Sequence, residues 1–258
     1  KAMSPTGQSR PFHRDADGLV PGEGAGFVVL KRLADAVRDG DRIDGVIRGV
    51  GLSNDGRGRG FLAPAEEGQR RAMSAAYGQA GIDPSSVNLL ECHATGTTVG
   101  DATEIRSTSA VFDGVDPLAV GSLKSNLGHL VTAAGVAGLI KVLEAIRHGV
   151  RQPTVGVDAA NPALADSPFR VLTAAEPWPD GAPRIAGISA FGFGGNNAHL
   201  VVSQDAEIGG PTTSSGSRAS RAPVPLAIVG VGAVVGSATD SRQLAAATSL
   251  VQDDRGAR

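Results

Sequence analysis

His93 is the first candidate for chemistry, because it follows a short, mostly apolar run at residues 87–92 that is expected to form a buried strand. Ligands of α/β sheets usually bind beyond the carboxyl ends of strands. Two hydroxyl residues, Thr95 and Thr97, follow at alternate positions. A histidine that only hydrogen-bonds to backbone groups explains this loop equally well when the loop is taken alone.

A second loop has the same organisation. The apolar run 118–122 leads into Lys-Ser-Asn-Leu-Gly-His at residues 124–129, and His129 opens a helix expected to end near residue 147. A helix N-terminus favours a neutral imidazole, which can donate one N–H to a carbonyl or enolate oxygen. A helix-capping His129 beside a solvated Lys124 explains this loop alone slightly better. Two such loops in one domain nevertheless favour catalysis.

A glycine-rich segment at residues 191–197 contains Phe191 and Phe193. Such a segment can bring backbone N–H groups close to a ligand, whereas a plain β-hairpin turn is the alternative. A loop gains little from exposed aromatic rings, so the two phenylalanines slightly favour a functional role.

Glu104 has two interpretations. It stands three residues after Asp101, which is expected to cap a helix over residues 102–112, and this spacing is that of a capping box. The alternative is that its carboxylate pairs with a buried lysine.

The elements that must position these loops alternate between short apolar strands and helices. This alternation indicates an α/β domain with a largely internal sheet. The predicted strands are 25–30, 43–52, 87–92, 118–122, 185–190 and 198–203, and the predicted helices are 33–37, 66–80, 102–112 and the one from His129 to about 147.

Composition excludes several classes of protein. The chain has 258 residues, a net charge of −2, 41% apolar residues and one cysteine, so neither nucleic-acid binding nor a disulfide or cysteine–zinc scaffold is expected. The longest nearly apolar stretch, residues 130–140, is too short for a membrane span, and the N-terminus lacks a signal-peptide core. A cytoplasmic protein without a membrane partner is expected.

The composition changes abruptly near residue 207, where Gly, Ser, Thr, Pro and Arg become dominant. We therefore predict a main domain over residues 1–206 and a flexible linker over residues 207–223. Residues 224–258 begin with a new apolar strand and are interpreted as the start of a following domain or linker region.

Taken together, these loops resemble the β-ketoacyl synthase (ketosynthase) domain of type I polyketide synthases, a thiolase-fold family. The resemblance covers residues 1 to about 203 and implies an α/β, thiolase-like fold. It also implies that the chain is the C-terminal half of such a domain, with a mixed buried sheet and flanking helices. The family more often has glycine at the position of Ala94 and threonine at the position of Asn196. At these two positions the sequence resembles the iterative enediyne-type synthases of antibiotic biosynthesis. The matching blocks are residues 17–26, 91–97, 100–104, 124–129 and 187–199.

The resemblance implies roles for four titratable residues. His93 and His129 match the histidine pair that assists malonyl decarboxylation and stabilises the enolate and the thioester carbonyl. Lys124 matches the lysine that positions this network, and Glu104 matches its carboxylate partner.

Four further residues match substrate-binding positions of the family. Thr95 and Thr97 match the hydroxyls that hold the phosphopantetheine arm. Phe193 matches the residue whose backbone N–H helps to form the oxyanion hole, and Phe191 matches a neighbouring gate.

The family nucleophile is a cysteine in a Thr-Ala-Cys-Ser-Ser block, and this sequence contains no such block. Its single cysteine, Cys92, precedes His93, and neighbouring residues of a strand point to opposite faces. If His93 faces the site, Cys92 is therefore expected to pack in the core as a small apolar residue.

The resemblance thus implies part of a polyketide β-ketoacyl synthase, an acyltransferase that condenses an acyl thioester with malonyl-acyl carrier protein in a decarboxylative Claisen reaction. The fragment alone is expected to be inactive. The alternative is a catalytically silent module that docks carrier protein or sets chain length. The implied partners are an acyl carrier protein, the N-terminal half of the ketosynthase and, in the complete domain, a second copy. No metal or bound cofactor is expected, since the substrate arrives on the carrier protein's 4′-phosphopantetheine.

Overall fold

The computed structural model describes residues 2–57, 60, 63–114, 117–179 and 181–204. These residues form α-helices and a mixed sheet, which confirms the predicted α/β class. The strands are β1 (Val46–Asn54), β2 (Leu89–Glu91), β3 (Leu118–Gly121), β4 (Val150–Arg151), β5 (Phe169–Val171), β6 (Glu176–Pro177), β7 (Ile185–Phe191) and β8 (Asn196–Ser203). The helices are α1 (Leu33–Asp39), α2 (Glu66–Ala80), α3 (Thr98–Ser109), α4 (Lys124–Leu127) and α5 (Ala134–His148), with 3₁₀ turns at Pro84–Ser86, Val131–Ala133 and Pro162–Leu164.

The six-stranded sheet has the order β1-β8-β7-β2-β3-β5, and β4 pairs separately with β6. β7, β2, β3 and β5 are mutually parallel, whereas β8 runs antiparallel to both β7 and β1. The carboxyl ends of β7, β2 and β3 consequently meet at one edge of the sheet, where the loops carrying the candidate residues begin.

Alternate residues of the strands pack into two separate hydrophobic clusters. Leu90 of β2 packs in the cluster that includes Met73 of α2, whereas its neighbour Leu89 packs in the cluster that includes Val142 of α5. The sheet therefore lies between a layer containing α2 and a layer containing α5, because successive side chains of a strand point to opposite faces of the sheet. This burial on both faces explains why the central strands read as continuous apolar runs.

Two glycines of β1 allow α2 to lie directly on the sheet. A Cβ atom on Gly51 would come within 1.8 Å of the Ala72 carbonyl oxygen, and one on Gly49 within 2.1 Å of the Ala76 carbonyl oxygen. Because atoms cannot approach this closely, any larger side chain at either position would push α2 away.

The predicted helix over residues 66–80 is confirmed with the same bounds, and Gly81 ends it in the left-handed conformation. The hairpin predicted around residues 191–197 is confirmed as β7 and β8. The predicted strand over residues 25–30 is wrong. This segment belongs to no strand, and Phe27 and Val29 are 91% and 99% exposed, because no strand within the described residues pairs with it.

The predicted start of the helix at residue 102 is also wrong, because α3 begins at Thr98 with Thr97 at the N-cap position. Asp101 lies within the first turn and is buried, where its carboxylate accepts hydrogen bonds from loop N–H groups instead of capping the helix. The single helix predicted from His129 is divided into the turn Val131–Ala133 and α5.

The linker predicted over residues 207–223 and the segment 224–258 lie outside the described residues. Within the part of the chain that is described, no helix has the length and apolar character needed to cross a membrane.

Cys92 lies in the core at 5% exposure, as predicted, and this burial yields a test. Burial, followed by the negative charges of Glu104 and Glu91, raises the pKa of its thiol well above the usual value. At a fixed pH below the pKa, each unit by which the pKa of the thiol rises lowers the thiolate fraction about tenfold. Iodoacetamide should therefore modify Cys92 much more slowly in the folded chain than in guanidinium chloride, as followed by mass spectrometry. Equal rates, or an acyl group on Cys92 after incubation with an acyl thioester, would refute this assignment.

Candidate active site

Three loops converge at the carboxyl ends of parallel strands. His93 lies in the loop after β2, Lys124 lies in the loop after β3, and Phe193 lies in the turn after β7. The first two loops are joined directly, because the Ser122 hydroxyl donates a hydrogen bond to the Ala94 carbonyl oxygen at 2.8 Å. The sheet therefore brings together residues that are distant in sequence.

The two predicted histidines are neighbours. The ring centroids of His93 and His129 are 5.4 Å apart, and the rings meet edge to face at 80°. The ring of Phe191 is 6.0 Å from that of His93. The backbone of His129 is held by the N-terminal segment, since its N–H donates to the Val20 carbonyl and its carbonyl accepts from the Gly22 N–H. The two predicted histidines and the predicted gate thus form one cluster.

The tautomer of His129 follows from one hydrogen bond. The backbone N–H of Val131 donates to Nδ1 of His129 at 3.0 Å, so Nδ1 carries no proton. The proton of the neutral ring is then on Nε2, which can donate to a ligand oxygen.

Burial keeps both rings neutral. Desolvation, reinforced by the positive charge of Lys124, lowers the pKa of His129 to about 4. Desolvation, Lys124 and His129 together hold the pKa of His93 well below its usual value. At neutral pH each ring therefore presents one N–H donor and no positive charge.

Lys124 is the cation beside the two rings, and it is only 6% exposed. Desolvation lowers the pKa of its ammonium, whereas the charges of Glu91 and Glu104 raise it. Within the described residues, no ion pair closer than 4.0 Å joins Lys124 to Glu104, so the carboxylate partner implied by the family resemblance acts on Lys124 by its charge at longer range.

Glu104 instead holds the His93 loop by its backbone. Its Oε1 accepts a hydrogen bond from the His93 N–H at 2.7 Å, and its Oε2 accepts one from the Ala94 N–H at 2.6 Å. Burial raises the pKa of Glu104 to about 7, while these N–H groups and Lys124 favour the charged form. The capping-box interpretation is wrong, because both oxygens bind a loop outside the helix.

Asp101 is a site residue whose role the sequence alone did not reveal. Its carboxylate accepts hydrogen bonds from the N–H groups of Phe12 at 2.9 Å, Thr95 at 3.0 Å and Gly96 at 3.2 Å. Burial raises its pKa to about 6, although these hydrogen bonds act to lower the pKa. The spacing of Asp101 and Glu104 by three residues was the available signal, since it places both on one face of a helix.

The two threonines predicted to hold the phosphopantetheine arm lie at the start of α3. The hydroxyls of Thr95 and Thr97 are 3.0 Å apart, with Thr95 buried and Thr97 half-buried.

The turn after β7 presents Phe193 at the surface with 53% of it exposed, whereas Phe191 is buried. Gly194 and Gly195 have φ angles of 79° and 75°, which favour glycine. The turn is tied to the end of β1, because the Asp55 N–H donates to the Gly195 carbonyl at 2.9 Å. The Phe193 N–H donates no hydrogen bond within the described part of the chain, so this donor is available to a ligand.

The cluster therefore combines two neutral imidazole rings and a buried ammonium, and the turn after the neighbouring strand β7 offers a free backbone N–H. Donors arranged in this way stabilise negative charge that develops on carbonyl oxygens. Among the described residues, no group of three His, Cys, Asp or Glu side chains could hold a metal ion.

Three successive family models match the chain. The N-terminal domain of β-ketoacyl synthases matches residues 1–36, their C-terminal domain matches residues 44–158, and the ketoacyl-synthetase C-terminal extension matches residues 159–232.

Curated relatives are much longer than this chain. One polypeptide of the phenolphthiocerol/phthiocerol polyketide synthase of Mycobacterium tuberculosis is 48% identical over 214 residues, which is 80% of this chain and 11% of that protein. One polypeptide of the polyunsaturated fatty acid synthase of Thraustochytrium sp. is 49% identical over 197 residues, which is 76% of this chain and 9% of that protein. The chain thus spans about a tenth of the length of these relatives.

Solved ketosynthases share the fold. The ketosynthase from module 6 of the bacillaene synthase of Bacillus subtilis 168 is 43% identical, with a TM-score of 0.75 over 78% of this chain and 38% of that one. The PfaC keto synthase–chain length factor is 45% identical, with a TM-score of 0.75 over 79% of this chain and 22% of that one. The thiolase-like fold implied by the sequence is confirmed, whereas the enediyne-type subfamily stays a prediction. The chain belongs to the β-ketoacyl synthase family and is related to the ketosynthases of polyketide synthases.

Proposed function

We propose that this chain forms part of a polyketide β-ketoacyl synthase that condenses an acyl thioester with malonyl-acyl carrier protein. The observation that carries the proposal is the cluster of neutral His93 and His129 rings, 5.4 Å apart, beside the buried ammonium of Lys124. Membership of the ketosynthase family supports the same chemistry.

The proposed reaction has two bond changes that develop negative charge. The malonyl C–C bond breaks, carbon dioxide leaves, and the electron pair forms an enolate whose oxygen accepts N–H bonds from His93 and His129. The enolate carbon then attacks the acyl thioester carbonyl, and the C–S bond breaks to release a cysteine thiolate. The Phe193 N–H is proposed to donate to the oxygen of this second carbonyl, as the family resemblance implies. Preorganised donors of this kind stabilise the developing negative charge without having to reorient during the reaction.

The substrate-bearing partner in this proposal is an acyl carrier protein, whose 4′-phosphopantetheine arm delivers the malonyl unit. Thr95 and Thr97 are proposed to bind the arm, because their hydroxyls lie together beside the His93 loop. The support is their position in the loop that follows His93 and the match to the family block.

The nucleophilic cysteine is proposed to come from the N-terminal part of the ketosynthase, because Cys92 is buried in the core. The exposed apolar segment 25–30 supports such a partner, since surfaces of this kind mark interfaces. A cavity of about 450 Å³ opens beside this segment, between Gly24, Leu130 and Ile140. The complete domain is further proposed to form a homodimer.

The alternative is a catalytically silent module that docks carrier protein or sets chain length. It is supported by one solved relative, which is named a keto synthase–chain length factor. The histidines and Lys124 argue for the enzyme. A cysteine at the nucleophile position of a complete ketosynthase containing this sequence would decide for condensation.

The first test replaces the donors. In a complete ketosynthase containing this sequence, His93→Ala and His129→Ala should each lower the condensation rate by about 10²–10³-fold, the cost of one oxyanion donor. Carbon dioxide release and β-ketoacyl product from radiolabelled malonyl-carrier protein give the rate. His148→Ala is the matched control with an unchanged rate, since that side chain lies exposed at the end of α5. Wild-type rates in either site variant would refute the site.

Lys124→Ala should lower malonyl decarboxylation more than acyl loading, because its charge acts on the two histidines that are proposed to bind the enolate. Separate assays of labelled acyl transfer to the protein and of carbon dioxide release measure the two steps. An equal loss in both steps would contradict this division.

The last test uses the chain alone. The purified 258-residue chain should form no β-ketoacyl product, and addition of the N-terminal part of a matching ketosynthase should restore turnover. Turnover by the chain alone would overturn the assignment of the nucleophile to the partner, while restored turnover would exclude the silent module.

A further inference from the structure

Glu91 is a buried charged residue that the proposed mechanism does not use. It is the last residue of β2 and lies at the edge of the sheet where the site loops begin. Both of its carboxylate oxygens are bonded. Oε1 accepts a hydrogen bond from the Leu123 N–H at 2.6 Å, and Oε2 pairs with the Lys141 ammonium at 2.7 Å. Glu91 therefore links β2, the loop after β3 and helix α5.

The hydrogen bond to Leu123 acts on the backbone next to Lys124. Leu123 is the N-cap residue of the short helix α4, and Lys124 is its first residue. The preceding residue, Ser122, is also anchored, since its N–H donates to the Thr154 hydroxyl at 3.0 Å. The backbone that leads into Lys124 is thus held at two successive N–H groups, one of them by a carboxylate.

The pairing with Lys141 is what allows a carboxylate at this depth. An isolated buried carboxylate would take up a proton, and a paired one stays charged. Gly138 of α5 provides the space, because a Cβ atom there would come within 3.1 Å of the Glu91 Cγ. A neutral Glu91 could still accept one hydrogen bond but would no longer act on a neighbouring cation.

We propose that Glu91 is a positioning residue for Lys124, because its buried carboxylate anchors the backbone at Leu123, directly before Lys124, and holds a negative charge at the base of this loop. This role rests on the proposed function only in so far as Lys124 serves the histidine pair. It differs from the partner that the family resemblance implied, which was Glu104.

The other titratable groups facing Lys124 are accounted for. Glu104 and Asp101 lie on α3, and both oxygens of each carboxylate bind loop N–H groups. His93 and His129 are neutral, and the thiol of Cys92 is protonated. The pKa of Lys124 agrees with the proposal, since burial lowers it and the carboxylate of Glu91, ahead of Glu104, raises it.

The pKa of Lys124 can be measured directly, because the chain has only four lysines, at positions 1, 31, 124 and 141. Selective ¹³Cε and ¹⁵Nζ labelling of lysine gives four NMR signals whose titration yields each pKa. The Lys141→Met variant assigns the signals of the two buried lysines. This readout does not need turnover, so an inactive chain would leave the test of Glu91 intact and would count only against the proposed function.

Glu91→Gln should lower the pKa of Lys124 by about one pH unit, the effect of losing one nearby opposite charge. Glu91→Gln/Lys141→Met removes both buried charges and guards against misfolding caused by an unpaired Lys141. We expect this double variant to retain at least half of the decrease. Glu104→Gln is the matched comparison and should lower the pKa less.

A merely structural Glu91 predicts another pattern. The pKa of Lys124 would then be unchanged in Glu91→Gln, or would return fully to the wild-type value in the double variant. Either result would overturn the proposal, as would a larger decrease in Glu104→Gln than in Glu91→Gln.

Discussion

Hydrogen bonds from backbone N–H groups to buried carboxylates hold the site together. Glu104 binds the His93 loop, Asp101 joins that loop to the segment around Phe12, and Glu91 binds the loop that leads into Lys124. Loops normally satisfy their N–H groups with water, but these loops lie too deep for that. A carboxylate accepts several such bonds at once, so three acidic side chains suffice to fix the geometry.

The same burial determines the charge of the site. Desolvation and the nearby Lys124 ammonium favour neutral histidines, and the bond from the Val131 N–H to Nδ1 places the proton of His129 on Nε2. The site therefore presents N–H donors and one cation without a protonated imidazole. In a medium of low dielectric such donors act strongly on a developing oxyanion.

The apolar segment 25–30 is exposed in this structure. Its apolar side chains lie on the surface, although central strands of the same composition lie in the core. The difference is that β2, β3 and β7 have neighbours on both sides, whereas this segment has none among the described residues. Hydrophobic composition selects the strand conformation only where a pairing partner is present.

Local patterns in the sequence determined most of the longer elements and the family. Helix α2, the β7–β8 hairpin and the loops with His93 and Lys124 follow from periodicity and turn residues, because these signals depend on residues close in the chain. The tertiary structure alone decided that Asp101 does not cap its helix, that both oxygens of Glu104 bind loop N–H groups, and that Glu91 lies beside Lys141. These contacts join residues that sheet pairing and helix packing bring together, and a carboxylate's partner in the core depends on burial that no local pattern encodes.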